Sequence, residues 1–150
     1  MPEHSGNIVI VTGGGLGIGA GAALEFARQG ANVAIADVNL DATREVVGQI
    51  EQTGARGVAI EADVSKSSDC KHVVDETVAA LGRVDVLFNN VGIQPAESCA
   101  NIENTTEEVW DQIIGVNLKS RFLMAKYAIP EMATHILQFR AQADFSTPQL

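Results

Sequence analysis

The amino-acid sequence predicts an α/β fold, a doubly wound parallel sheet. Short β-branched runs alternate with stretches of helical periodicity along most of the chain. A dense glycine run separates the first strand from the first helix. The strand-like runs are separated by segments long enough for crossover helices, as parallel neighbours require. A length of 150 residues, 46% hydrophobic and 19% charged, suits a single domain over 1–150, with 136–150 an atypical tail.

The elements follow in order. Ile8-Val9-Ile10-Val11 is β-branched throughout and reads as a strand buried on both faces. Helical spacing then runs from Gly17 to about Gly30, with Ala20, Ala23, Leu24 and Ala27 on one face. Asn32–Asp37 is a second strand. Asn39 caps a helix to about Gln52, whose apolar face is Ala42, Val46, Val47 and Ile50. Gly57–Ala62 is a third strand. Ser65 is placed as the cap of a helix carrying Val73, Val74, Val78 and Leu81, which Gly82 stops.

Val84–Asn89 is a fourth strand, followed by a Gly- and Pro-containing loop from Gly92 to Asn104. Thr105-Thr106-Glu107-Glu108 has capping-box spacing. The helix behind it is expected to bury Val109, Trp110, Ile113, Asn117 and Leu118, to continue past Phe122, and to kink or end at Pro130. Ile136-Leu137-Gln138-Phe139 could serve as a poor further strand.

Composition removes several function classes. Ten Lys and Arg stand against nineteen Asp and Glu, a net charge of −9, which argues against a nucleic-acid groove or an anionic membrane surface. Aromatics at 5% argue against a stacking platform for single strands. No apolar run is long enough for a signal segment or a membrane span, so the cytoplasm is the expected compartment. Cys70 and Cys99 have no metal or disulfide spacing and read as small, inert side chains. His4, His72 and His135 read as surface residues, and no metal site is expected.

Thr12-Gly13-Gly14-Gly15-Leu16-Gly17-Ile18-Gly19 lies between the first strand and the first helix. A sharp turn, close approach of backbone to a diphosphate, and tight helix–strand packing all call for glycine there. The helix N-terminus adds free N–H groups and a positive dipole end. The bare glycine pattern matches twice, at Gly15-Gly17-Ala20 and Gly17-Gly19-Ala22, so context must carry it. Asp37 closes the second strand, 20 residues beyond Gly17, near the offset of a ribose-binding acid. A carboxylate there accepts from ribose hydroxyls and repels a 2′-phosphate, so NAD is expected over NADP. The plainer alternative is a structural glycine turn with Asp37 as a solvated strand end.

From Asn7 to about His135 the chain resembles the short-chain dehydrogenase/reductase family. TGGGLGIG, from Thr12 to Gly19, is similar to that family's TGxxxGxG cofactor motif. Asp63-Val64 is similar to its adenine-binding pair, in which the carboxylate accepts from the adenine amino group. Asn89-Asn90-Val91-Gly92 resembles its NNAG motif, with Val91 in place of the usual Ala. Asn117 in Val116-Asn117-Leu118 resembles the family's helix asparagine. The resemblance implies a Rossmann-like sheet and a cofactor contacted by Gly13, Gly15, Leu16, Gly17, Ile18, Gly19, Asp37, Asp63, Val64, Asn90, Val91 and Gly92. Alternatives stand beside it. Asp63 could simply precede a helix, Asn89 and Asn90 could tie neighbouring strands, and Asn117 could be a satisfied core amide.

The family's chemistry is hydride transfer between nicotinamide and a carbonyl or alcohol, through an Asn, Ser, Tyr and Lys relay. Here only the Asn can be carried over, onto Asn117 as the catalytic candidate. The single tyrosine, Tyr127, is followed four residues later by Glu131, so YxxxK is absent and Tyr127 reads as helix packing. Ser146 is followed by no such tyrosine and takes no catalytic role. The tail beyond His135 does not resemble the family, so the sheet is expected to be incomplete at its C-terminal side. The expected function is that of a truncated, inactive NAD(H)-dependent oxidoreductase, with a small carbonyl or alcohol substrate only in a full-length form. The alternative is a non-catalytic NAD-binding module that forms a homo- or hetero-oligomer through the Thr106–Met132 helix.

Overall fold

The computed structural model describes residues 3–96 and 101–144. Cys99 and Ser146 lie outside the described residues, as do positions 97–100 of the loop before Asn104. Four parallel strands are described: β1 (Ile8–Thr12), β2 (Asn32–Asp37), β3 (Gly57–Glu61) and β4 (Val86–Asn89), in the order β3-β2-β1-β4. Helices α1 (Gly17–Arg28), α2 (Leu40–Glu51) and α3 (Ser67–Leu81) are the crossovers. After a short 3-10 turn at Ile102–Asn104 come α4 (Glu107–Ile114), a π-helical turn (Gly115–Lys119) and α5 (Ser120–Asp144).

The winding follows from side-chain alternation along the two central strands. Val9, Val11, Val33 and Ile35 point to one face and pack with Ala23 and Ala27 of α1 and Val46 and Ile50 of α2. Ile8, Ile10, Ala34 and Ala36 point to the other and pack with Cys70, Val73 and Val74 of α3 and Leu123, Met124 and Ala128 of α5. Ile10 and Ile35 are wholly buried. Trimming either to alanine should cost about 2–5 kcal/mol, from lost transfer energy and the cavity left behind. The chain winds from β1 to β3 in one direction, then crosses back to place β4 on the far side of β1. A cleft therefore opens beyond the carboxyl ends of β1 and β4.

Local signals act as the sequence implies at most ends. Asn39 Oδ1 accepts from the Ala42 N–H at 3.1 Å. The cap of α4 is Thr106, one residue after the Thr105 that the capping-box spacing implies, and its hydroxyl accepts from the Val109 N–H at 3.3 Å. Gly82 ends α3 at φ +100°, a conformation only glycine adopts without strain.

Five expectations are corrected. Ser65 does not cap α3, whose cap position is Lys66. Both the Ser65 N–H and hydroxyl are instead spent on Asp63 Oδ1. The fourth strand starts at Val86, because the Asp85 carboxylate turns to take the Ile8 N–H at 2.7 Å and the Arg83 guanidinium at 2.9 Å. Trp110 and Leu118 are exposed rather than buried, as is Phe122 beyond them. The π turn inserts a residue into the helical register, which rotates the faces so that Ser120, Leu123 and Met124 take the core side. Pro130 neither ends nor divides α5. It lies on the exposed side, where water can replace the bond its ring removes. Ile136–Phe139 continue α5 rather than pairing as a strand, since extending an existing helix needs no new nucleus.

Candidate functional site

A cavity of about 480 Å³ opens in the cleft. Of the predicted residues, Gly13, Leu16, Ile18, Asp37, Asp63, Val64, Asn90, Val91 and Gly92 line it. Residues from four separate loops, far apart in sequence, are thus brought to one wall. Gly15, Gly17, Gly19 and Asn117 are not part of the lining. Val38, Ala62, Ile93 and Val116 complete it.

The glycine turn has separate reasons at separate positions. Gly13 has φ +67° and its N–H donates to the Ala36 carbonyl at 2.7 Å, which bends the chain away from β1. Gly19 lies where α1 crosses that turn. A Cβ there would be driven into the Gly13 carbonyl oxygen and stand 2.6 Å from Asn90 Nδ2. Leu16 sits at the cap position of α1 without a side-chain hydrogen bond, so the first amides of that helix have no capping side chain. Leu16 and Ile18 are 70% and 81% exposed, apolar surfaces turned to the cavity rim.

Asp37 closes β2 at the cavity mouth. Its Oδ2 accepts the Gly15 N–H at 3.0 Å and its Oδ1 accepts the Asn39 N–H at 3.0 Å. Behind it the buried Thr43 hydroxyl donates to the Asn39 carbonyl at 2.8 Å. The carboxylate is thereby held in one orientation by backbone on both sides.

Asp63 follows β3. Its Oδ1 takes the Ser65 hydroxyl at 2.7 Å and the Ser65 N–H at 3.1 Å, and Lys66 Nζ stands 3.4 Å from Oδ2. The Ser65 hydroxyl bond, opposed by partial burial and aided by Lys66, holds its carboxyl below the usual carboxylate range. Val64 is buried beside it.

Asn90 is a strap between strands. Its Nδ2 donates to the carbonyls of Thr12 and Gly13 at 3.1 and 3.0 Å. The buried Thr12 hydroxyl accepts the Asn90 N–H at 3.0 Å and the Val91 N–H at 3.4 Å. Asn117, at the centre of the π turn, spends its whole amide on one residue. Oδ1 accepts the Ile93 N–H at 2.7 Å and Nδ2 donates to the Ile93 carbonyl at 2.8 Å. Among the described residues no cluster of His, Cys, Asp and Glu could hold a metal ion.

Thr12 and Asp69 were not foreseen as site residues. Thr12 was legible only as the first letter of the glycine motif. Asp69 could have been found as an acid in the first turn of a helix, close behind Asp63.

A family model described as short chain dehydrogenase matches residues 7–138. An uncharacterized oxidoreductase of Thermotoga maritima is 43% identical over 130 residues, covering 87% of this chain and 50% of that protein. A probable galactose dehydrogenase of Rhizobium meliloti is 39% identical over 133 residues, covering 88% and 51%. Among solved structures, a 3-ketoacyl-(acyl-carrier-protein) reductase from Brucella melitensis complexed with NADH superposes with TM-score 0.79 at 35% identity, covering 86% of this chain and 51% of that one. A putative short-chain alcohol dehydrogenase from Sinorhizobium meliloti superposes with TM-score 0.81 at 35% identity, covering 87% and 50%. The chain spans about half the length of the curated relatives it matches.

Proposed function

The chain belongs to the short-chain dehydrogenase family, and we propose that its cleft holds a nicotinamide dinucleotide, with NAD preferred over NADP. The observation that carries this reading is the doubly anchored carboxylate of Asp37 at the cavity mouth. Fixed acceptor oxygens suit the two hydroxyls of a ribose, and their negative charge repels a 2′-phosphate. The residues fit such a ligand in other respects. The backbone at Gly13 and Gly19 packs so closely that side chains there would fill the space behind the turn. The uncapped start of α1 offers N–H groups to a diphosphate. The exposed Leu16 and Ile18 give apolar cover to its rings.

In the whole protein the function is hydride transfer between the dinucleotide and a carbonyl or alcohol, chemistry the bound nicotinamide ring supplies. In this chain Asp37 and Asp63 would orient the two ends of the adenosine. Asn117 would hold the Ile93 backbone, and with it the far wall of the cleft. The 150-residue sequence offers no tyrosine to that wall. The Tyr127 hydroxyl is 2.7 Å from Ser67 Oγ, packing α5 against α3, and Tyr127 does not line the cavity. The chain alone would therefore bind the dinucleotide without turning it over. No helix among the described residues is long and apolar enough to cross a membrane.

A second reading, a non-catalytic module that pairs with another copy or a longer relative, is favoured by one observation. Trp110, Leu118, Phe122 and Ile129 expose large apolar side chains along α4, the π turn and α5. The test of cofactor binding is thermal. NAD at millimolar concentration should raise the melting temperature, as linkage requires of any ligand that binds only the folded state. A folded chain with an unmoved melting temperature overturns the proposal.

A further inference from the structure

The first turn of α3 grips the Asp63-Val64 pair residue for residue. Asp69 Oδ2 accepts the Asp63 backbone N–H at 3.0 Å, and the next residue, Cys70, donates its thiol to the Val64 carbonyl at 3.2 Å. Asp69 is itself oriented, its Oδ1 taking the Ser68 hydroxyl at 2.9 Å. Val64 and Cys70 are buried, so the grip is built into the core and not laid over the surface. The loop between β3 and α3 thus has its backbone set by Asp69 and Cys70. Its acid, Asp63, has one oxygen occupied by Ser65 and the other left beside Lys66 at the cavity.

We infer that Asp69 is a positioning residue that makes the adenine end of the cleft selective for a purine carrying an exocyclic amino group. The inference rests on the reading of Asp63 as acceptor for that amino group. An amino group donates to a carboxylate, whereas the carbonyl of hypoxanthine at the same place turns a lone pair towards it and is repelled. Selectivity of this kind depends on where the carboxylate stands, because a hydrogen bond weakens steeply with misalignment. Asp69 sets that place by fixing the backbone from which the Asp63 side chain springs, and it does not itself line the cleft.

Calorimetric titration of the 150-residue chain tests this, using NAD and its deamino analogue, which carries hypoxanthine in place of adenine. Wild type should bind NAD more tightly than the analogue. Asp69→Ala should weaken NAD by about tenfold while leaving the analogue within about twofold, collapsing the preference. Asp69→Asn keeps an acceptor oxygen for the Asp63 N–H and should retain most of the preference. It also serves where the alanine variant fails to fold. A preference that survives intact in a folded Asp69→Ala chain, or equal losses for both ligands, overturns the role of Asp69 alone. Wild type that binds both ligands equally overturns the adenine role of Asp63, and the inference with it.

Discussion

The Asp37 carboxylate accepts the backbone N–H of Gly15 at 3.0 Å, joining the end of β2 to the glycine turn after β1. The bond ties the acid that would read the ribose to the loop that would hold the diphosphate. A Cβ on Gly15 would stand 3.1 Å from that same carboxylate oxygen, tight enough that one of them must shift. The two parts of the cleft are therefore positioned together, although 22 residues separate them.

Gly19→Ala should destabilise the chain as well as weaken any ligand. Its Cβ would meet the Gly13 carbonyl and Asn90 Nδ2, a clash with backbone that no side-chain rotation relieves. Overpacking of this kind costs about 1–3 kcal/mol or more. The melting temperature should fall by roughly 2–4 °C per kcal/mol. Gly21→Ala, at an open position on the same helix, is the control and should be neutral or slightly stabilising.

Asn117→Ala would leave the N–H and carbonyl of Ile93 without their side-chain partners. The loss should cost about 1–3 kcal/mol and loosen the loop that carries Ile93. Hydrogen exchange at the Ile93 amide should speed up in the variant. Unchanged exchange there would mean that the loop is held by other contacts.

Much of this arrangement is legible in the amino-acid sequence. The first two strands are β-branched or small at every buried position, and Asn39 and Gly82 terminate helices in the ordinary way. Asn117 and Leu118 were harder. Simple helical periodicity places both on the buried side, and only the π turn separates them, sending Asn117 to Ile93 and Leu118 to solvent. Ser65 misses the cap position because α3 begins at Ser67, one residue too late for it. Its hydroxyl and N–H donate to the Asp63 carboxylate and close a local turn before the helix, a pairing that single-residue propensities do not carry.

Cys70 should resist alkylation. Burial, with the nearby charges of Asp69 and Asp63, pushes its thiol up to about 11. In a Cys99→Ser background, iodoacetamide at pH 8 should label the unfolded chain and leave the folded one unmodified. The proton is held more tightly in the folded state. Its contribution to stability is therefore complete below pH 9 and lost as pH rises towards 11, which denaturant melts across that window would show. Rapid native labelling at pH 8 would contradict the buried placement.

The exposed side chains of Leu118 and Phe122 should drive association. Size-exclusion chromatography over a hundredfold range of concentration should show a species larger than the monomer. The double variant Leu118→Glu, Phe122→Glu should shift it to the monomer without changing the far-ultraviolet dichroism. A wild-type chain that stays monomeric throughout would remove the oligomer from the proposal.

Cofactor choice tests the reading of the cleft most directly, through calorimetric titration of the folded chain with NAD and with NADP, alongside Asp37→Ser. Wild type should bind NAD at least about tenfold more tightly than NADP, in keeping with the energy of hydrogen bonds to a charged group. Asp37→Ser should narrow that gap by weakening NAD and relieving the repulsion of the 2′-phosphate. Equal or tighter binding of NADP by wild type, or no binding of either dinucleotide, would contradict it.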